Sequence, residues 1–393
     1  MLTQRQLFLQ YMAQTSNSPI ALEIVKAEGV YLYDIQGKEY IDLISGISVS
    51  NIGHRHPKVI KAITDQLDKY LHLMVYGEYI QSPQVLLAKK LIENLPESLN
   101  NVYFVNSGSE AVEGALKLAK RFTGRREVIA FKNAYHGSTI GALSIMGNEE
   151  FKNPFRPLLP EVNFIEFNNI RHLACITNKT ACVVAETIQG EAGVIVPQKE
   201  FLIALRNKCH ETGTILILDE IQTGFGRTGS LFAFEQFDIV PDIIAIAKGM
   251  GGGMPIGAFI ASKEMMMCLA EKPPLGHITT FGGNPVCCAA ALATLEVIIN
   301  DKLSDAALNK EKLFRQSLKH PKIKKIHGKG LLLAIEWHKN INNQEIIKRC
   351  IDHGVVVDWF LFAPGRMRIA PPLTISEAEI EKACRIIINC IDN

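Results

Sequence analysis

The chain has 393 residues, of which 47% are apolar and 21% charged, with 29 glycines and 17 prolines. These proportions exclude collagen-like, low-complexity and disordered chains, and a folded chain of this size buries about three quarters of its surface, enough for a core with a deep cleft. Lys and Arg number 42 against 40 Asp and Glu, a net charge of +2 with no basic block, so neither nucleic acid nor an anionic membrane is an expected partner.

From the N-terminus, residues 1–14 suit a short amphipathic helix without the apolar core of a signal peptide. VYLYDIQGKEYIDL (30–43) reads as two strands around a Gln-Gly turn. HPKVIKAITDQLDKY and PQVLLAKKLIENL carry apolar residues at helical spacing. From about residue 101 short apolar strands alternate with helices: NVYFVN, SEAVEGALKLAKRF, EVIAF, then ACVVAE, EFLIALRNKCHETG, TILILD, DIIAIAK and IGAFIAS. Strands apolar at nearly every position are buried on both faces, as in a mostly parallel sheet covered by helices. The sequence therefore predicts an α/β fold with a large domain over residues 50–286. A smaller α+β domain is expected from both chain ends, 1–49 and 287–393, the latter opening in the helix PVCCAAALATLEVIIN. No uncharged apolar run reaches the roughly 18 residues of a membrane span. The nine cysteines are scattered, only Cys287 and Cys288 are adjacent, and no Cys-x-x-Cys occurs. A disulfide framework and a zinc cluster are not expected, which points to a reducing, cytoplasmic setting.

Four segments have the makings of a site. Lys248 closes the apolar run DIIAIAK ahead of GMGGGMPIG. A buried lysine must be compensated or lose its proton, and a neutral amine is a nucleophile that forms Schiff bases with carbonyls. Asp219 closes TILILD, at a distance along the chain that suits one strand-to-strand excursion, so both side chains would emerge at the carboxyl edge of the sheet, where α/β proteins bind ligands. Asn-Ser-Gly-Ser-Glu (106–110) follows a strand and opens a helix, so Gly108 and Ser109 would present N–H groups and a hydroxyl suited to a phosphate. Tyr135, in Ala-Tyr-His-Gly-Ser, is placed to stack on a flat ligand. Taken singly, each has a structural reading: a snorkelling lysine, a turn aspartate, an N-cap, a packed tyrosine. GFGRTG (224–229) matches a dinucleotide fingerprint in letters, but no helical pattern follows it. His54 and His56 lack a third metal ligand, and no metal is expected.

Together these segments resemble pyridoxal-phosphate enzymes of the aspartate-aminotransferase fold (fold type I), and within them the class III aminotransferases, the group of acetylornithine, ornithine and 4-aminobutyrate aminotransferases. GVYLYDIQGKEYIDLISGI, NSGSEAVEGALKLAK, YHGSTIGALS, ETIQGEAGV, LDEIQTGFGRTG, PDIIAIAKGMGGGMPIGA, TTFGGNP and MRIAPPL carry the resemblance in family order. It implies that Lys248 binds the aldehyde of pyridoxal 5′-phosphate covalently and shuttles a proton. Asp219 would keep the pyridine nitrogen protonated and Gln222 would bind the ring oxygen. Gly108 and Ser109 would hold the phosphate, with Tyr135 and His136 on the ring. Thr280 would reach the phosphate of the other subunit, which implies a homodimer with active sites at the subunit interface.

The resemblance further implies that Arg368 grips a substrate carboxylate and that Glu191 covers this arginine when an ω-amine enters. At Ser138 the sequence departs from the pattern, because the acetylornithine, ornithine and 4-aminobutyrate enzymes usually carry Arg there; Arg55 is a conceivable substitute. The expected reaction moves an amino group from an ω-amino or acetylornithine/ornithine-like donor to 2-oxoglutarate in a ping-pong cycle. The alternatives are a racemase, aminomutase or decarboxylating transaminase on the same cofactor, or a non-catalytic binding module.

Overall fold

The computed structural model describes residues 2–392. Fifteen strands follow one another among the described residues: β1 (Ile24–Glu28), β2 (Tyr31–Asp34), β3 (Glu39–Asp42), β4 (Asn101–Val105), β5 (Glu127–Phe131), β6 (Val162–Ile165), β7 (Thr180–Glu186), β8 (Ile215–Asp219), β9 (Ile243–Ile246), β10 (Gly257–Ala261), β11 (Ile323–Lys329), β12 (Leu332–Trp337), β13 (Val355–Val356), β14 (Asp358–Phe360) and β15 (Ala363–Ile369). The helices of two turns or more are α1 (Gln4–Tyr11), α2 (Pro57–Leu67), α3 (Ser82–Ile92), α4 (Gly108–Thr123), α5 (Lys199–Thr212), α6 (Pro285–Asn300), α7 (Leu303–Ser317), α8 (Asn343–Asp352) and α9 (Glu377–Asp392).

The central sheet has the order β4-β10-β9-β8-β7-β5-β6. The ladders β6-β5-β7-β8-β9 are parallel, whereas β10 runs antiparallel to both β9 and β4. The reversal follows from chain length: the link between β9 and β10 is shorter than the dozen or more residues that a parallel crossover needs. Side chains alternate across the sheet with period two. Cys182, Val184, Ile215 and Ile217 pack with Ala111, Val112 and Ala115 of α4. Val183, Ala185, Leu216 and Leu218 join Phe201, Leu202 and Leu205 of α5 in the larger core on the opposite face. This two-sided burial is why the interiors of these strands are apolar.

Two smaller sheets flank the central one. β13 pairs in parallel with β3 and so joins the N-terminal strands to the C-terminal segment. The second has the order β11-β12-β15-β14 and carries Arg368 on β15. Helix α6 runs unbroken through residues 286 and 287 and packs on α2 and α3. GFGRTG is a turn followed only by a short 3-10 segment, Ala233–Phe237. Its Arg227 is fully buried, donating to the carbonyls of Leu331 and Pro371 and to Asn51 Oδ1. Burial pushes this guanidinium down to about 9. Arg227 therefore ties the loop after β8 to the segment just beyond Arg368.

Candidate active site

The carboxyl ends of β7, β8 and β9 meet the start of α4 around a cavity of about 390 Å³. Asp219 is the last residue of β8, and Lys248 lies two residues beyond the end of the adjacent parallel strand β9. Sequence reasoning put Lys248 at the strand's end; it instead opens a 3-10 turn, Lys248–Gly251, with φ at 45°. Both residues line the cavity, together with Ser107, Gly108, Ser109, Tyr135, His136, Gln222 and Glu186.

Ser107 caps α4, its Oγ accepting from the Glu110 N–H at 3.2 Å. Gly108 and Ser109 therefore occupy the first helical positions, whose N–H groups lack intrahelical partners and carry the positive end of the helix dipole. Gly137 faces Ser109 so closely that a Cβ there would lie 2.1 Å from Ser109 Oγ. This holds the Tyr135–Gly137 loop against the start of the helix.

Asp219 Oδ2 pairs with His136 Nδ1 at 2.7 Å, and Oδ1 accepts from the Ile221 N–H at 3.0 Å. His136 Nε2 and Gln222 Nε2 are buried with no hydrogen-bond partner. Such groups are costly unless a ligand completes them. Burial drives the Lys248 amine below its ordinary value, while the Glu191 and Asp219 charges oppose the shift. A helix N-terminus for an anion, an aromatic wall, unpaired donors, a buried acid and an amine of lowered pKa suit a flat phosphorylated heterocycle bearing a carbonyl.

Beside the cavity lies the buried pair Glu191–Arg368. Arg368 Nη2 donates to Glu191 Oε2 and to the Trp359 carbonyl, both at 2.9 Å. Its Nε lies 3.1 Å from Asp358 Oδ1, and the Phe360 ring sits 4.5 Å from Cζ. Ser138 and Thr280 are exposed and do not line the cavity; Ser138 Oγ is 3.5 Å from the Tyr135 hydroxyl. Arg55 is also exposed, and its charge acts on Lys26 and Glu28 rather than lining the cavity.

Sequence reasoning missed two acids. Glu186 is the register partner of Asp219 and accepts from the Gly190 and Tyr135 N–H groups. Burial and then Asp219 push its carboxyl well above the usual range. Asp358 is the other. Each acid ends or follows a buried apolar run, the same signal that singled out Asp219.

The chain matches the family description "Aminotransferase class-III" over residues 11–391. It is 40% identical over 385 residues to an acetylornithine aminotransferase of Methanopyrus kandleri, covering 96% of each chain. It is 41% identical over 368 residues to an acetylornithine aminotransferase of Archaeoglobus fulgidus, covering 93% of this chain and 94% of the relative. Among solved structures it resembles the ornithine aminotransferase of Toxoplasma gondii, with pyridoxal phosphate at partial occupancy in that protein's active site. There the TM-score is 0.90 at 32% identity, over 98% of this chain and 92% of that one.

Proposed function

The chain belongs to the class III aminotransferases, which are pyridoxal-phosphate enzymes of fold type I, and on that footing we propose that it moves an amino group from an acetylornithine-like ω-amine to 2-oxoglutarate. The observation that carries the reading is the convergence of Lys248, Asp219 and the start of α4 on one cavity. The residues present fit the cofactor. Gly108 and Ser109 hold the phosphate at the helix N-terminus. The orphaned Gln222 Nε2 would donate to the ring oxygen, and Tyr135, which lines the same cavity, would cover a ring face. Asp219, steadied by His136 and Ile221, would hold its carboxylate toward the ring nitrogen.

When bound, pyridoxal phosphate supplies a carbonyl that exchanges amino groups and an electron sink that acidifies the neighbouring C–H bond. The chain supplies the proton transfer and the orientation. Lys248, whose amine burial holds below its ordinary pKa, would serve as the base that takes the proton from the carbon bearing the amine. Arg368 binds the carboxylate of 2-oxoglutarate or glutamate through a bidentate fork. Glu191 neutralises Arg368 while the ω-amine donor occupies the site. One site thus serves two half-reactions in turn, a ping-pong cycle.

The active form is a homodimer in which Thr280 completes the partner's phosphate site. Exposed apolar side chains on the Thr280 loop support this: Ile278 and Phe281, which flank Thr280 in the chain, are both exposed. Two units, residues 50–286 and the joined chain ends, frame the cleft. Among the described residues no helix is long and apolar enough to cross a membrane.

A spectral half-reaction screen of the cofactor-loaded protein tests the reading. Glutamate and acetylornithine are expected to convert the cofactor to its amine form, with 2-oxoglutarate reversing the change. Failure of glutamate to convert it would overturn the proposal.

A further inference from the structure

Arg368 is enclosed by the segment that follows β13. Asp358 lies on its Nε edge, the Trp359 carbonyl accepts from Nη2, and the Phe360 ring packs against the guanidinium. The Leu361 N–H donates to Glu191 Oε2 at 2.9 Å, the same oxygen that receives Arg368 Nη2. Arg368 Nη1 and Nε are both buried without a hydrogen bond, so Asp358 Oδ1 meets Nε as a close ion pair at 3.1 Å. Asp358 and Arg368 are directly opposed in the β14-β15 ladder, so the backbone fixes their approach.

A guanidinium can offer a carboxylate either of two forked edges, one of which includes Nε. Glu191 occupies the Nη2 corner and can be exchanged for a substrate; Asp358 occupies Nε and belongs to the sheet. We propose that Asp358 is a positioning residue, which holds the Nε side of Arg368 so that the Nη1–Nη2 edge alone is presented to the carboxylate of the oxo acid. This deepens the reading of Arg368 given above and rests on it. In its ionised form Asp358 also offsets part of the Arg368 charge during the interval when Glu191 has left, and an uncompensated buried charge is expensive. Burial raises the Asp358 carboxyl to about 7 against the pull of Arg368, with Glu191 and Asp42 pushing the same way as burial. The acid is therefore held in place by its ladder position rather than by a deep ionic well.

The test compares Asp358→Ala, Asp358→Asn and Arg368→Lys as full-length, cofactor-loaded proteins. Glutarate, a dicarboxylate with neither amine nor oxo group, is titrated by calorimetry, and kcat and KM for 2-oxoglutarate are measured alongside. Asp358→Ala is expected to weaken glutarate and raise the 2-oxoglutarate KM by about tenfold, a modest value for one close charged contact, with kcat changed less than about twofold. Asp358→Asn keeps an oxygen beside Nε and should restore both constants to within about threefold of the parent. If Asp358→Ala leaves both constants unchanged, or if Asp358→Asn is as impaired as Asp358→Ala, the positioning role is overturned. Arg368→Lys separates the two levels. Loss of glutarate binding there, with none in Asp358→Ala, refutes only the role of Asp358. Unchanged binding in Arg368→Lys refutes the carboxylate reading of Arg368 itself.

Discussion

Gly137→Ala probes the joint between the aromatic loop and the phosphate seat. Gly137 has φ at +125°, and an added Cβ would sit 2.1 Å from Ser109 Oγ, 2.9 Å from its Cβ and 3.2 Å from its Cα. A rotamer change in Ser109 relieves only the first contact, because helix α4 fixes the other two atoms. The loop or the helix start must shift. Overpacking of this kind costs about 1–3 kcal/mol, and the positive φ adds about 1–3 kcal/mol for a residue with a Cβ. Gly124→Ala serves as the control: it has φ at +67° with no atom within 4 Å of the new Cβ, so it carries a backbone cost without a clash. With Ser109 on the phosphate, the clash term should appear as roughly tenfold or greater weakening of pyridoxal phosphate, since about 1.4 kcal/mol is a factor of ten. The assay is an absorbance titration of the cofactor-free protein, paired with urea unfolding of both variants. Equal losses of stability in the two variants, with cofactor affinity unchanged in both, would refute the placement of Ser109 at the seat.

Ser138→Arg restores a cation at the rim, and it should raise kcat/KM for acetylornithine about tenfold or more, the value of one new charged hydrogen bond; no gain in steady-state kinetics would put the distal carboxylate elsewhere. Lys248→Ala and Thr280→Ala, each impaired alone, should recover activity when unfolded and refolded together, because one site of a mixed dimer then has both native residues. Refolding that gives no more activity than the separate variants would argue against an intersubunit role for Thr280. Glu336 is held at about 2 by hydrogen bonds from Lys324 and His327, against an ordinary 4.5. A lowered folded value stabilises the fold above pH 4.5 and loses that contribution as pH falls towards 2. The urea midpoint should fall through that window, and Glu336→Gln should flatten the fall.

Much of the central sheet was legible because burial on both faces leaves few polar positions inside its inner strands. Asp219 stood out for the same reason, since an acid closing ILIL is conspicuous. The antiparallel β10 was not legible in its own residues, because GAFIA is as apolar as a parallel strand. Its direction comes from the short link behind it. The Glu191–Arg368 pair is 177 residues apart in sequence, and no periodicity connects the two. Family order named them, whereas the β14-β15 ladder determines what else touches the arginine. Asp358 escaped notice because its partner is cross-strand rather than local. Arg55 shows the reverse: its charge type suggested a substitute for the missing rim cation, but it is exposed outside the cavity, and its charge is felt at Lys26 and Glu28.

The most direct measurement of the covalent claim is borohydride reduction of the protein loaded with pyridoxal phosphate, followed by peptide mass mapping. A single stable adduct on Lys248, absent from Lys248→Ala while that variant keeps its fold, is the expected result. An adduct on another lysine, or undiminished labelling in Lys248→Ala, would contradict the assignment on which the chemistry rests.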